Sequence, residues 1–152
     1  MKKLNLIYGI VFIFLISFSI TSCSSDDDND NSNSTFQETV ENNTQTGTWR
    51  ITKFIDSGID ETSDFSGYNF TFNGAGALNA NNGTNSFDGT WTISSDGSDL
   101  DDLDLNIVFN LRNDFDDLTD DWDFISQTST KIELIDIGGG GEPDDLLTFE
   151  RN

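Results

Sequence analysis

The sequence predicts an all-β domain over residues 46–152, folded as an antiparallel up-and-down meander of about eight strands. Short runs in this region alternate apolar and polar residues, which is typical of strands with one buried face. Clusters of Gly, Asn, Asp and Ser separate the runs, and the absence of a long helical pattern between them favours antiparallel neighbours. Closure would remove the exposed edges that promote aggregation, so we expect a barrel rather than a sandwich.

The first half of the domain contains strand-like runs joined by turn signals. Asn73-Gly74 and Asn82-Gly83 are typical of hairpins, and a weak strand is expected between them at about 77–81. Gly89 falls inside the run that follows. The alternating apolar residues of this half are Trp49, Ile51 and Ile55, then Tyr68, Phe70 and Phe72, then Phe87, Trp91 and Ile93.

The second half contains the most regular alternation in the chain. Longer breaks fall near 56–66 and 111–120, and in the second break Phe115, Leu118 and Trp122 have the spacing of a short helix. The alternating apolar residues of this half are Leu103, Leu105, Ile107 and Phe109, then Trp122 and Phe124, then Ile132 and Leu134, then Leu147 and Phe149.

The aromatic residues of these strands are expected to point into the barrel. An eight-stranded barrel is wide enough only for its own side chains or for one small ligand. We therefore expect packing to fill the interior, with a small apolar ligand as the alternative. The ten candidates are Trp49, Tyr68, Phe70, Phe72, Phe87, Trp91, Phe109, Trp122, Phe124 and Phe149.

Residues 1–22 have the layout of a secretory signal peptide. Lys2 and Lys3 precede an almost wholly apolar run over 4–20. The alternative is a retained membrane-spanning helix, but the run is at the lower limit of the spanning length of about 17–25 residues. Acidic rather than basic residues follow it, which favours removal of the leader.

The leader ends at Cys23, the single cysteine of the chain. Ile20-Thr21-Ser22-Cys23 resembles the lipobox of bacterial lipoproteins. The resemblance implies cleavage before Cys23 and attachment of acyl chains such as palmitate there, which anchor a protein stably when two or more are present. A free structural thiol is the alternative.

Residues 23–45 are predicted to be an acidic, mostly disordered linker. Its start, Ser24-Ser25-Asp26-Asp27-Asp28-Asn29-Asp30, resembles the export signal of Bacteroidetes-type lipoproteins. That resemblance implies an outer-membrane protein exposed on the cell surface; a plain tether on a protein facing the periplasm is the alternative. Thr35-Phe36-Gln37-Glu38 fits a helix start, and a short helix is expected at 36–42.

The domain resembles the lipocalin-like family. Gly47-Thr48-Trp49 opens the first strand, Gly89-Thr90-Trp91 repeats the Gly-x-Trp pattern, and Arg151 ends the last strand. The resemblance implies that Trp49 closes the base of the barrel and that Arg151 packs over its ring. The chain is shorter than typical lipocalins, which argues against a deep ligand pocket. An Arg151 exposed at a frayed terminus is the alternative.

Composition excludes several functions. The net charge is −21, and removing Lys2 and Lys3 with the leader makes it two units more negative, so nucleic-acid binding is not expected. A chain with no His and one Cys excludes His/Cys zinc sites, Ser-His nucleophilic catalysis and disulfides. Carboxylate-pair glycoside hydrolysis remains, but acidic residues are too numerous for a pair to be informative. We expect no enzymatic activity and no cofactor.

Two groups of acidic residues are candidates for calcium, which takes six to eight oxygen ligands. Neither group matches the spacing of an EF-hand loop. We therefore expect a solvated acidic surface and no metal site. The first group is Asp96, Asp99, Asp101, Asp102 and Asp104, and the second is Asp114, Asp116, Asp117, Asp120, Asp121 and Asp123.

Two hypotheses for function remain. The first is a lipoprotein anchored in the outer membrane through Cys23, whose barrel binds a small apolar ligand or a protein partner. The second is a structural or accessory envelope lipoprotein with a fully packed core and no ligand. The volume of the barrel interior distinguishes them, because ligand pockets measure about 300–1,000 Å³.

Overall fold

The computed structural model describes residues 29–95, 97 and 99–152, with the side chains of 29–34 and 101 excepted. One α-helix, α1, precedes nine strands in this part of the chain. The helix spans Asn29–Gln45. The strands are β1 (Trp49–Asp56), β2 (Ile59–Asp60), β3 (Asn69–Phe72), β4 (Ala77–Asn81), β5 (Ser86–Ser95), β6 (Leu103–Val108), β7 (Asp120–Gln127), β8 (Lys131–Asp136) and β9 (Asp145–Arg151).

The strands form a closed antiparallel barrel. Each strand from β3 to β9 pairs with its neighbour in sequence, and β9 returns to pair with β1. The two-residue strand β2 forms a hairpin with β1 beside an eight-stranded barrel. The predicted fold class is confirmed.

The two ends of the barrel differ. We call the end where β1 begins and β9 ends the base, and the opposite end the rim. The base carries α1 and the turn between β3 and β4. The rim carries the loops that follow β1, β6 and β8. The closing contact of β1 with β3 is a single pair, Trp49 and Phe70, whereas β1 and β9 pair along most of their length.

The first strand contains a β-bulge that changes which residues face inward. Its register with β9 shifts between Ile51 and Lys53. The extra residue moves the buried position from Ile55 to Phe54, which is fully buried, while Ile55 is only half-buried. The expectation that Ile55 lies in the core is therefore wrong.

In the second break, where the spacing of Phe115, Leu118 and Trp122 made a short helix possible, the helical spacing does not produce an α-helix. A single 3₁₀ turn, Asp116–Leu118, occupies that region, and β7 begins at Asp120. Trp122 belongs to the strand, where its indole Nε1 donates to the carbonyl of Leu118 at 3.2 Å. β7 begins to pair with β6 at Asp120, opposite Ile107, and this pairing outweighs the local helical spacing.

The helix is longer than the predicted 36–42, and residues 29–45, which were expected to be mostly disordered, are helical. Thr35 lies inside the helix rather than at its start. Val40 and Thr44 are buried against the barrel, and Phe36 packs on the core. Once packing has fixed one helical turn, lengthening the helix costs little free energy, because each added residue gains a backbone hydrogen bond.

Candidate functional site

The base of the barrel joins α1 to both ends of the domain. Trp49 is fully buried, and its indole Nε1 donates to the carbonyl of Thr44 on α1 at 2.9 Å. Arg151, paired with Trp49 across β1 and β9, has its guanidinium carbon 4.7 Å from the Trp49 ring centroid. Its Nη2 donates to the carbonyl of Asn43 at 2.9 Å. Both residues therefore hold the C-terminal turn of α1 against the barrel.

The interior is occupied by aromatic rings. Of the ten aromatic residues named from the sequence, nine are buried and Phe87 is half-buried. Three further aromatic residues join them: Phe54, Phe65 and Phe115. The first of these was missed because of the β-bulge in β1, and the other two because they lie in loops, where alternation gives no signal.

Phe115 lies at the centre of the rings near the rim. It comes from the loop between β6 and β7. Its ring centroid lies 4.7–6.1 Å from five others; three of these pairs are edge-on, a favourable arrangement, and two are tilted. The five partners are Phe65, Tyr68, Phe70, Phe87 and Phe109. The loops therefore fill the rim end of the barrel with side chains.

A group of carboxylates lies at the rim. Oxygens of Asp56, Glu61 and Asp117 are all within 4.8 Å of one another. Partial burial, and then the charges of Asp56 and Asp117, raise the pKa of Glu61. Partial burial, and then the charge of Asp56, raise the pKa of Asp117. Of the three, only Asp117 belongs to the predicted acidic groups, because the others come from a distant part of the sequence.

The two predicted acidic groups meet on the outer wall of the barrel. Asp104 on β6 lies directly opposite Asp123 on β7. Partial burial, followed by a hydrogen bond with Asp123 and the charge of that residue, raises the pKa of Asp104. Ser94 Oγ donates to Asp104 Oδ2 at 3.3 Å. Two like charges at one cross-strand position are destabilising, which favours the protonated form of Asp104.

The remaining members of these groups are not gathered around one point. Asp102 accepts from the backbone N–H of Asp99 at 2.9 Å in a reciprocal cap of the turn Leu100–Asp102. Asp114, Asp116 and Asp121 are exposed, and partial burial raises the pKa of Asp120. Asp96 and the side chain of Asp101 lie outside the described residues. The predicted groupings therefore do not form single clusters in the folded chain.

A cleft lies outside the barrel, where α1 crosses β5 near the base. Its volume is about 270 Å³. The walls come from α1, from the turn Gly74–Gly76 and from the end of β5. Gln37 on α1 donates through Nε2 to the carbonyl of Ile93 at 2.9 Å beside it. The lining residues are Glu41, Ala75, Gly76, Trp91, Thr92 and Ile93.

The predictions for residues 1–22 and for Cys23 lie outside the described residues. Within residues 29–152, apart from the gaps at 96 and 98, no helix has the length and apolar character needed to cross a membrane.

No protein-family model matches the chain, and no curated protein matches it. Among solved structures, the chain is similar to the crystal structure of a DUF4847 family protein from Bacteroides vulgatus. The two share 19% sequence identity at a TM-score of 0.48, and the alignment covers 74% of this chain and 97% of the other. A likeness of this size carries no inference about function, and the class defined by the strand pairing is a closed antiparallel β-barrel.

Proposed function

We propose that the protein is a lipoprotein of the bacterial outer membrane, acylated at Cys23 and exposed on the cell surface. Its barrel acts as an interaction module that meets a protein partner through its outer surface. The role is non-catalytic and requires no cofactor. The observation that supports binding at the outer surface, rather than binding of an internal ligand, is the occupied interior of the barrel.

The packing argues against a carrier with an internal ligand. Phe115 and its five aromatic partners fill the rim end, and Trp49 with Arg151 and α1 covers the base. A barrel of this strand number has room inside for side chains or for one small ligand, and the side chains occupy it here. A partner therefore has access to the outer wall, the rim loops and the cleft beside α1.

The anchoring part of the proposal rests on the sequence and on the position of α1. The lipobox-like Ile20-Thr21-Ser22-Cys23 and the acidic residues after it fit an exported lipoprotein. At about 3.4 Å per extended residue, the chain from Cys23 to Asn29 spans no more than about 20 Å. A tether of that length would keep α1 and the base of the barrel near the membrane surface.

Mass spectrometry of the mature protein tests the anchor. We expect an N-terminal Cys23 carrying acyl chains, and we expect Cys23→Ala to leave the membrane fraction. An unmodified Cys23 in a membrane-free protein would contradict the proposal. Surface exposure is tested separately by protease treatment of whole cells, which should degrade the native protein. Replacing Asp26, Asp27 and Asp28 with Ala should keep the protein on the periplasmic side, where the protease does not reach it.

The second hypothesis, an accessory envelope protein with a packed core and no ligand, is favoured by the same occupied interior. The two differ in whether a partner binds the outer surface. Cross-linking on intact cells distinguishes them, because an interaction module gives a specific adduct that surface substitutions abolish, whereas an accessory protein gives none.

A further inference from the structure

Strand β5 continues beyond its neighbour β4. Pairing with β4 ends at Thr90 opposite Ala77, whereas pairing with β6 continues as far as Ser95 opposite Leu103. Residues 91–95 therefore have one edge on which the described part of the chain places no strand. This edge faces α1 and the cleft of about 270 Å³.

Two of the described residues, Gly76 and Gln37, approach that edge. Gly76 approaches it so closely that a Cβ there would lie 3.0 Å from the carbonyl oxygen of Trp91. Further along, the Gln37 amide donates to the carbonyl of Ile93. Because backbone groups of alternate residues point to the same edge of a strand, Ile93 and Ser95 both present theirs towards α1. The Gln37 amide occupies the position that the N–H of an added strand would take.

The charge of the cleft indicates the kind of partner. Among the described residues that line it, Glu41 is the one that carries a charge, and it is half-buried. Glu41 Oε1 accepts from Gln45 Nε2 at 3.0 Å, so its carboxylate is held in place on α1. The whole chain carries a net charge of −21, which disfavours a second copy of itself and favours a basic partner.

We propose that the cleft binds a short extended peptide segment of a basic partner protein, which pairs with β5 at Ile93 and Ser95. Addition of a strand to a sheet edge is a recurring mode of peptide recognition, in which backbone hydrogen bonds give affinity and neighbouring side chains give specificity. The peptide displaces the Gln37 amide and places a Lys or Arg beside Glu41. This inference names a partner for the proposed interaction module and is independent of acylation at Cys23.

The probe is a peptide of alternating valine and lysine, tested against the full-length protein in detergent by fluorescence anisotropy. Gln37→Ala should lower the Kd about fivefold, because the peptide no longer competes with the amide for one hydrogen bond. Glu41→Gln should weaken binding several-fold. Glu38→Gln is the matched control, since it removes the same charge from an exposed position on the same helix and should change the Kd little.

Hydrogen–deuterium exchange supplies the structural readout. Amides of 91–95 should become protected on binding, and a probe methylated on its backbone nitrogens should not bind, which tests the pairing without altering the protein. Absence of binding, binding without protection of 91–95, or equal affinity for a valine–glutamate peptide would each overturn the inference. None of these results bears on acylation at Cys23, which mass spectrometry of the mature protein tests separately.

Discussion

Arg151 stacks over Trp49, with its guanidinium carbon 4.7 Å from the ring centroid. Both side chains also donate hydrogen bonds to backbone carbonyls near the C-terminus of α1. The first and last strands of the barrel thus meet the helix at one point. Arg151 donates to the carbonyl of Asn43, close to the negative end of the helix dipole, where a positive charge is favourable. This contact holds the barrel seam and the helix together.

Replacing Arg151 with Met should destabilise the protein by about 2 kcal/mol. A cation–π contact is worth about 0.5–2 kcal/mol and a hydrogen bond from a charged donor about 1.5–3 kcal/mol, and the Met side chain recovers part of the packing. Urea denaturation followed by tryptophan fluorescence measures the change. The fluorescence of Trp49 should also shift, because its ring becomes more solvated.

Arg50 provides the matched control, because it lies next to Trp49 on the same strand. It pairs with Glu150 at 2.9 Å, but both side chains are well exposed. Exposed ion pairs contribute about 0.2–1 kcal/mol, so Arg50→Met should cost less than half as much as Arg151→Met. Equal losses for the two variants would mean that the Trp49 contact contributes nothing specific.

Most strands could be predicted from the sequence, because the alternation of apolar and polar residues specifies which side chains of a regular strand enter a barrel. The residues that the sequence did not place are those whose position depends on distant parts of the chain. Phe54 enters the core through a bulge set by pairing with β9, and Phe115 enters from a loop whose path is fixed by ring contacts. Likewise, no spacing rule relates Asp117 to Glu61, which meet only because their loops share the rim.

Truncating Phe115 should show how much the loop contributes to the core. Phe→Ala at a buried site costs about 3–5 kcal/mol, and Phe115→Ala should fall in that range, measured by thermal and urea denaturation. The cavity it leaves should bind benzene, detected as a rise in Tm that the native protein does not show. Ile125→Ala, at a position 52% exposed on β7, should cost less than about 1 kcal/mol and bind no benzene.

A side chain at Gly89 should destabilise the protein. A Cβ at this position would lie 2.6 Å from the carbonyl oxygen of Val108 and 2.8 Å from Cδ1 of Phe109. Because the first of these is backbone of the paired strand, β5 and β6 would have to separate. Gly89→Ala should therefore cost about 2–3 kcal/mol, the range of overpacking in a core.

The control for Gly89 is Gly139→Ala in the loop between β8 and β9. A Cβ there meets no atom within 4 Å, so the change should lie within about 0.5 kcal/mol. A Gly89→Ala variant with unchanged stability would show that the two strands can move apart freely. The same substitution therefore measures how firmly β5 and β6 are paired.

The carboxylates at the rim should make the protein less stable as the pH rises. Partial burial and neighbouring charges raise the pKa of Glu61 and Asp117, so the folded state holds their protons more tightly than the unfolded chain does. Stability from these two groups is fully present below about pH 4, the ordinary carboxyl range, and is lost as the pH rises through the raised values. The effect opposes that of Asp60 and Glu133, whose pKa values are lowered by hydrogen bonds with Thr62 and Lys131 respectively.

Glu61→Gln isolates the contribution of the rim. At about pH 7 it removes one of three neighbouring negative charges and should stabilise the protein by a few tenths of a kcal/mol, about the size of an exposed charge pair. At about pH 3, where Glu61 is protonated in both states, the variant and the native protein should unfold at the same urea concentration. Glu38→Gln, on α1 at the base, removes one charge away from the rim carboxylates and should change stability less at about pH 7. A Glu61→Gln variant that is no more stable than the Glu38→Gln control at about pH 7 would mean that solvent screens the rim carboxylates from one another.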